Sequence, residues 1–199
     1  MRDHKQYVGG NWKQVQEFQL DFIKNSPEFS PDKTFLDLGC GSMRLGSALI
    51  PELNEGRYIG LDFNEEIVKI GIEKEIDPQI IEEKKPTFIF NSEFNLSEIE
   101  GKVDFVWIYQ VFIHVSDTLV EAAMNNVANK LADDGVVYAT FTEIQKGKIV
   151  NDNYVYDSNQ WTFHRPVERI EEFFNKAGLK VEQIGNIPKS GIIFKGTKL

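Results

Sequence analysis

Short apolar runs alternate with amphipathic stretches through most of this chain. Phe35-Leu36 and Leu38, then Tyr58-Ile59 and Leu61, then Thr87 to Asn91, Val103 to Tyr109 and Val136 to Phe141 read as five strands. Their near-continuous apolar character is that of parallel strands covered on both faces. Helical patterns fall between them. Asn64 caps one helix with Glu65 and Glu66 in its first turn, where negative charge meets the positive end of the dipole. Ser116 caps another over 117–131, with Leu119, Ala123, Val127 and Leu131 on one stripe and Asp133-Asp134-Gly135 after it. Ahead of the first strand, residues 9–24 predict a helix capped by Asn11, with Trp12, Val15, Phe18, Phe22 and Ile23 on one face. Residues 77–86, polar with two prolines, read as a loop.

After Phe141 the rhythm stops for over twenty residues, from Thr142 to Pro166, a length uncommon without a purpose. Pro166 then opens a helix with Val167, Ile170, Phe173, Phe174 and Ala177 facing inward, stopped by Gly178. Val181–Ile184 and Ile192–Lys195 follow, joined only by Gly185-Asn186-Ile187-Pro188, so they must be antiparallel to each other. Strand–helix alternation ending in such a pair predicts an α/β chain with a parallel sheet.

The stretch from Thr34 to Phe63 carries the chemistry: strand, Gly39-Cys40-Gly41 turn, helix, strand, Asp62. Glycines let backbone amides approach a ligand, and an acid at the end of the second strand can accept hydrogen bonds from ribose hydroxyls. A dinucleotide fingerprint places a third glycine where this chain has Arg44, which weakens a pyrophosphate-binding reading. With Asp37 opening the turn as Asp37-Leu38-Gly39-Cys40-Gly41, the stretch resembles motif I of the class I S-adenosylmethionine-dependent methyltransferases. Where that family often has another small residue, this chain has Met43, and Gly46 follows one turn later.

The resemblance implies a Rossmann-like, doubly wound seven-stranded sheet, mostly parallel with one antiparallel C-terminal strand and helices on both faces. It implies one methyltransferase-like domain over 1–199. An N-terminal helical segment (1–33) precedes a cofactor-binding core (34–141); a substrate-facing connection (142–166) leads to the last helix and strand pair (167–199). S-adenosyl-L-methionine is the implied cofactor. The implied contacts are Asp37, Gly39, Gly41, Asp62 and Phe63, then Glu93 (with Ser92 in reserve) near the adenine, and Tyr109 and Gln110 toward the methionyl part.

Composition narrows the partners. A net charge of −9 argues against a polyanion such as duplex DNA, whose phosphates require an excess of Lys and Arg. With 41% hydrophobic residues the chain can bury a core, yet its apolar runs are too short to span a bilayer and no charged-then-apolar leader opens it. One cysteine permits no internal disulfide and fits a reducing cytoplasm. The expected partner is therefore a small molecule, without nucleic acid or membrane; oligomeric state is left open.

Because the sulfonium donor is already reactive, the protein's task is alignment and, where needed, proton removal. His114 is the candidate general base, an imidazole being the side chain that ordinarily titrates nearest neutral pH. The competing reading is a loop tether, and His164 and Glu143 are rivals on the long connection. That connection, with Tyr154, Tyr156, Trp161, Phe163, His164 and Arg165, is the candidate for acceptor recognition or else a surface hairpin. Arg44 reads either as the partner of an acid such as Glu66 or as an anion receptor. No HxxH or CxxC pattern suggests a metal. The expectation is a methyltransferase acting on an O or N acceptor. The alternatives are a cofactor-binding regulatory module without turnover and a nicotinamide-dependent enzyme.

Overall fold

Two fully buried strands build the first part of the chain. β1 (Phe35–Leu38) and β2 (Tyr58–Asp62) hide every residue, as strands covered on both faces must. The computed structural model describes residues 3–144, 155–159, 161–187 and 191–199, and the chain divides into two units, Met1–Ser92 and Glu93–Leu199.

In the first unit β2 pairs in parallel with β1 and with β3 (Thr87–Phe90). The register sets Asp37 opposite Gly60 and Asp62 opposite Phe90. The sequence before β1 forms two helices rather than one, α1 (His4–Tyr7) and α2 (Trp12–Lys24). Gly9 and Gly10 take positive φ between them, so the predicted start at residue 9 is too early. Asn11 precedes α2 in a left-handed conformation and makes no side-chain cap bond. After β1 comes the four-residue α3 (Gly46–Leu49). α4 (Glu65–Glu75) follows β2, and Asn64 caps it as expected, its Oδ1 accepting from the Ile67 N–H at 3.2 Å. The stretch expected as a loop contains α5 (Pro78–Lys84), begun by an Asp77 cap and Pro78 at its first position.

The second unit holds the remaining six strands. β4 (Val103–Ile108) runs parallel to the long β5 (Leu131–Glu143), with Phe105 opposite Val136 and Ile108 opposite Ala139. α6 (Asp117–Lys130) leads directly into β5. The long connection supplies β6 (Val155–Asp157) and β7 (Thr162–Arg165), an antiparallel pair whose β7 lies parallel to the end of β5. Tyr154, one of its candidate aromatics, falls outside the described residues. After α7 (Val167–Lys176) come β8 (Leu179–Ile187) and β9 (Gly191–Lys198), antiparallel to each other, with β9 antiparallel to β5. Gly185 and Ile187 therefore belong to β8, whose register shifts between Gln183 and Gly185, and Pro188 lies outside the described residues. Phe141 of β5 centres the aromatic core, with Phe112 at 5.4 Å, Phe194 at 6.0 Å and Phe173 at 6.3 Å between ring centres.

The architecture is mixed α/β, mostly parallel, with an antiparallel C-terminal strand. Nine strands occur among the described residues where seven were expected. The two extra ones are β6 and β7, an antiparallel pair on the long connection, for which a hairpin was the alternative reading.

Candidate active site

In the first unit the glycine turn is joined by hydrogen bonds to Asp62 and to the end of β2. The Gly39 and Cys40 N–H groups donate to the Leu61 carbonyl at 2.6 and 3.1 Å, closing the turn onto the end of β2. Gly41 N–H donates to Asp62 Oδ2 at 2.9 Å, while Asn64 N–H donates to Oδ1 at 2.9 Å. Gly39 and Gly41 hold φ of 87° and 54°, the left-handed region open to glycine at little cost. Phe63, beside Asp62, is 68% exposed.

Asp37 is buried in β1, where its Oδ2 accepts from the Tyr58 hydroxyl at 2.7 Å. Burial lifts its carboxyl from 3.8 to about 7, against the Tyr58 hydrogen bond, while the neighbouring Asp62 charge adds to the rise. Burial also raises Asp62, opposed by the backbone donors at Asn64, Gly41 and Phe63. Two buried carboxyls side by side make a field that favours a cation.

Cys40 is buried in the same turn, and burial with Asp37 and Asp62 nearby pushes its thiol up. It therefore lacks the thiolate character of a nucleophile. Arg44 Nη1 donates to the Val8 carbonyl at 2.7 Å, and Ser42 Oγ to the His4 carbonyl at 3.0 Å. α1 thus lies on the glycine turn, and a Cβ placed on Gly41 would come within 2.8 Å of Val8 Cγ1. His4 belongs to this attachment, with Nε2 2.7 Å from Glu75 Oε1 and its ring edge-on to Trp12. Tyr7 adds to it by accepting from Asn64 Nδ2 at 3.0 Å.

The other candidates belong to the second unit. Glu93 is exposed on the bend just after β3. Tyr109 stacks on Trp107, with rings 5.9 Å apart and 11° from parallel. Gln110 follows in a left-handed conformation, φ 56°, with its N–H bonded to Thr140 Oγ1 at 2.7 Å. His114 is exposed and its Nδ1 lies 2.9 Å from the Trp161 carbonyl, joining the loop after β4 to the turn before β7. His164 instead lies in β7, where its Nε2 is 3.2 Å from Thr162 Oγ1.

Sequence reasoning missed Tyr58 as the partner of Asp37, and it read Arg165 only as part of the acceptor-facing connection, not as a buried clamp. The Arg165 side chain is wholly buried and donates from Nε to Asp117 Oδ1 at 2.8 Å, from Nη1 to the Phe112 carbonyl at 2.8 Å and from Nη2 to the Val115 carbonyl at 2.6 Å. Asp117 Oδ2 also accepts from Arg169 Nε at 2.8 Å. No cluster of metal-ligating side chains occurs among the described residues.

A family profile described as a methyltransferase domain matches residues 36–137, just over half of the chain. Among solved structures, an S-adenosylmethionine-dependent methyltransferase from Clostridium acetobutylicum is 14% identical, with a TM-score of 0.68 over 96% of this chain and 94% of that one. Magnesium protoporphyrin IX methyltransferase from Synechocystis, solved with bound S-adenosylmethionine, is 17% identical, with a TM-score of 0.65 over 94% of this chain and 79% of that one. A glycopeptide N-methyltransferase is 9% identical, with a TM-score of 0.71 over 92% of this chain and 90% of that one.

Proposed function

This chain belongs to the class I S-adenosylmethionine-dependent methyltransferase family, and we propose that it methylates an oxygen or nitrogen of a small molecule. Its methyl donor is S-adenosylmethionine. The observation that carries the acceptor class is the His114 imidazole, exposed at the end of the loop after β4 and bonded through Nδ1 to a carbonyl. A hydroxyl or ammonium-derived amine acceptor gives up a proton as it gains a methyl, and an imidazole with one nitrogen bonded away keeps the other for that proton.

In this reading Asp37, Gly39, Gly41, Asp62 and Phe63 hold the cofactor, with Glu93, Tyr109 and Gln110 completing the contacts. The bound cofactor supplies an electrophilic methyl on sulfur. Asp62 accepts from the ribose while its own oxygens stay fixed by the Gly41 and Asn64 N–H groups. Asp37 faces the ammonium, which stabilises its ionised form. His114 Nε2 takes the acceptor's proton and passes it to solvent, to which the ring is open. The connection carrying Tyr156 and Trp161 meets the acceptor.

Net charge supports a small acceptor, since −9 repels a polyanion. The Synechocystis and glycopeptide enzymes are named for a porphyrin and a glycopeptide. No described helix is long and apolar enough to cross a membrane, and a single buried cysteine agrees with a reducing cytoplasm. The test is methyl-labelled S-adenosylmethionine offered with a panel of small alcohols, phenols, carboxylic acids and amines, and separately with RNA, DNA and protein. Label transferred to small O or N acceptors is expected. Transfer only to macromolecules, or cofactor binding with no transfer to any class, would overturn the proposal.

A further inference from the structure

We propose that Arg165 is the positioning residue that presents His114 with its proton on Nδ1 and its lone pair on Nε2. The inference deepens the reading of His114 as general base and rests on it for its catalytic meaning. Its structural content is independent of that reading.

A carbonyl oxygen only accepts, so the 2.9 Å contact between His114 Nδ1 and the Trp161 carbonyl requires Nδ1 to carry the hydrogen. A neutral imidazole has one N–H, so Nε2 is left with the lone pair. This reverses the tautomer that an unrestrained histidine side chain prefers in water. Keeping it requires the loop and the Trp161 carbonyl to stay in register.

Arg165 holds both. Two of its bonds go to the Phe112 and Val115 carbonyls, which flank His114 on either side, and the third goes to Asp117 at the head of α6. Arg165 itself ends β7, the strand that begins one residue after Trp161. One buried guanidinium therefore clamps the chain on each side of the imidazole to the strand that delivers its carbonyl partner. Trp161 sits at φ 57°, a conformation that a bulky residue keeps only when its surroundings impose it. The planar fork matters, because three acceptors in three directions are within reach of a guanidinium and not of an ammonium. Asp117, shared with Arg169, fixes the fork's rotation.

The experiment is a long-range ¹H–¹⁵N correlation spectrum of the full chain labelled at histidine, recorded at about pH 8.5, where an ordinary imidazole is neutral. Three histidines are present, and H114Q assigns the signal. In the wild-type chain, Nδ1–H is expected to exceed Nε2–H by at least about tenfold, which requires the Trp161 hydrogen bond to outweigh the opposite intrinsic preference by about 1.4 kcal/mol. R165K keeps the charge and loses the fork, and Nε2–H is expected to become the major form. If R165K does not fold, D117N, which releases one leg of the clamp, is expected to lower the ratio at least about threefold. A wild-type signal dominated by Nε2–H would overturn the proposal, as would an unchanged ratio in folded R165K or, in its place, in D117N. The base reading fails separately, through undiminished methyl transfer by H114Q, and that result leaves the tautomer measurement standing.

Discussion

The Tyr58 hydroxyl donates a 2.7 Å hydrogen bond to Asp37 Oδ2, with both side chains buried. It is the largest influence holding the Asp37 carboxyl down, while burial lifts it to about 7. At pH 6 Asp37 is then largely protonated before the cofactor arrives, and an ammonium beside it would drive the proton off. Affinity for S-adenosylhomocysteine, which keeps that ammonium, should rise from pH 5.5 to 7.5 and level above. Y58F should move the plateau to higher pH. Calorimetry across this range, in buffers of differing protonation enthalpy, checks both the slope and the released proton. A flat profile would remove Asp37 from the ammonium.

The same shift makes folding pH-dependent. Between the ordinary 3.8 and about 7, the folded chain keeps a proton on Asp37 that the unfolded chain has released. Stability from this group is therefore full below about 4, falls as pH rises to about 7, and is flat above. D37N removes the titration. Denaturant unfolding at pH 5 and at pH 8 should show a smaller drop for D37N than for the wild-type chain.

A close approach that sequence reasoning missed lies behind the glycine turn. A Cβ on Gly71 of α4 would run into the Ser42 backbone carbonyl group and lie 2.9 Å from Ser42 Cα. Main chain cannot swing aside as a side-chain tip can. G71A should cost about 1–3 kcal/mol, the range for overpacking a well-filled interior, read as a lower denaturant midpoint. A substitution tolerated without loss would mean that α4 and the turn separate easily.

Arg165 is wholly buried and Asp117 is its carboxylate partner. Removing that partner leaves a charge inside the protein. D117A should therefore destabilise the chain by about 3–5 kcal/mol, the scale of a broken buried pair. The loss should change little between low and high salt, because ions in solvent do not screen a buried guanidinium. Unfolding measured at two ionic strengths checks both statements.

What the sequence made legible was local. Asn64 caps the helix that starts one residue later, and the Gly39–Gly41 turn declares itself by conformations other residues avoid. The Arg165 clamp reaches partners 48 to 53 residues away, and no periodicity announces a contact of that span. The seven-residue α5 buries no side chain, so it has no apolar stripe to read, although Asp77-Pro78 is a recognisable start. β6 and β7 are three and four residues long, too short for alternation to stand out. In β7 a buried position is filled by Arg165, which reads from sequence as polar. Among the site candidates, the Gly39–Gly41 turn was legible as a turn because its backbone geometry is one that glycine adopts readily. Tyr58 was read as strand filler because nothing along the chain links it to an acid twenty-one residues earlier.

Asp62 has a second duty that decides how its cofactor role must be tested. Its two oxygens receive the Gly41 and Asn64 N–H groups, so the side chain fastens the glycine turn to the start of α4 in addition to the ribose contact proposed for it. D62A removes both acceptors together, and its weaker binding would mix a lost ribose contact with a loosened turn. D62N keeps one acceptor oxygen and the shape, and loses the charge. Hydrogen bonds to a charged group contribute about 1.5–3 kcal/mol, so D62N should weaken S-adenosylmethionine binding by about 10- to 100-fold. D62A should weaken it at least as much and also lower the denaturant midpoint. Calorimetry on both variants, with unfolding curves beside it, separates the two duties. Equal wild-type affinity in a folded D62N chain would leave Asp62 with the turn alone.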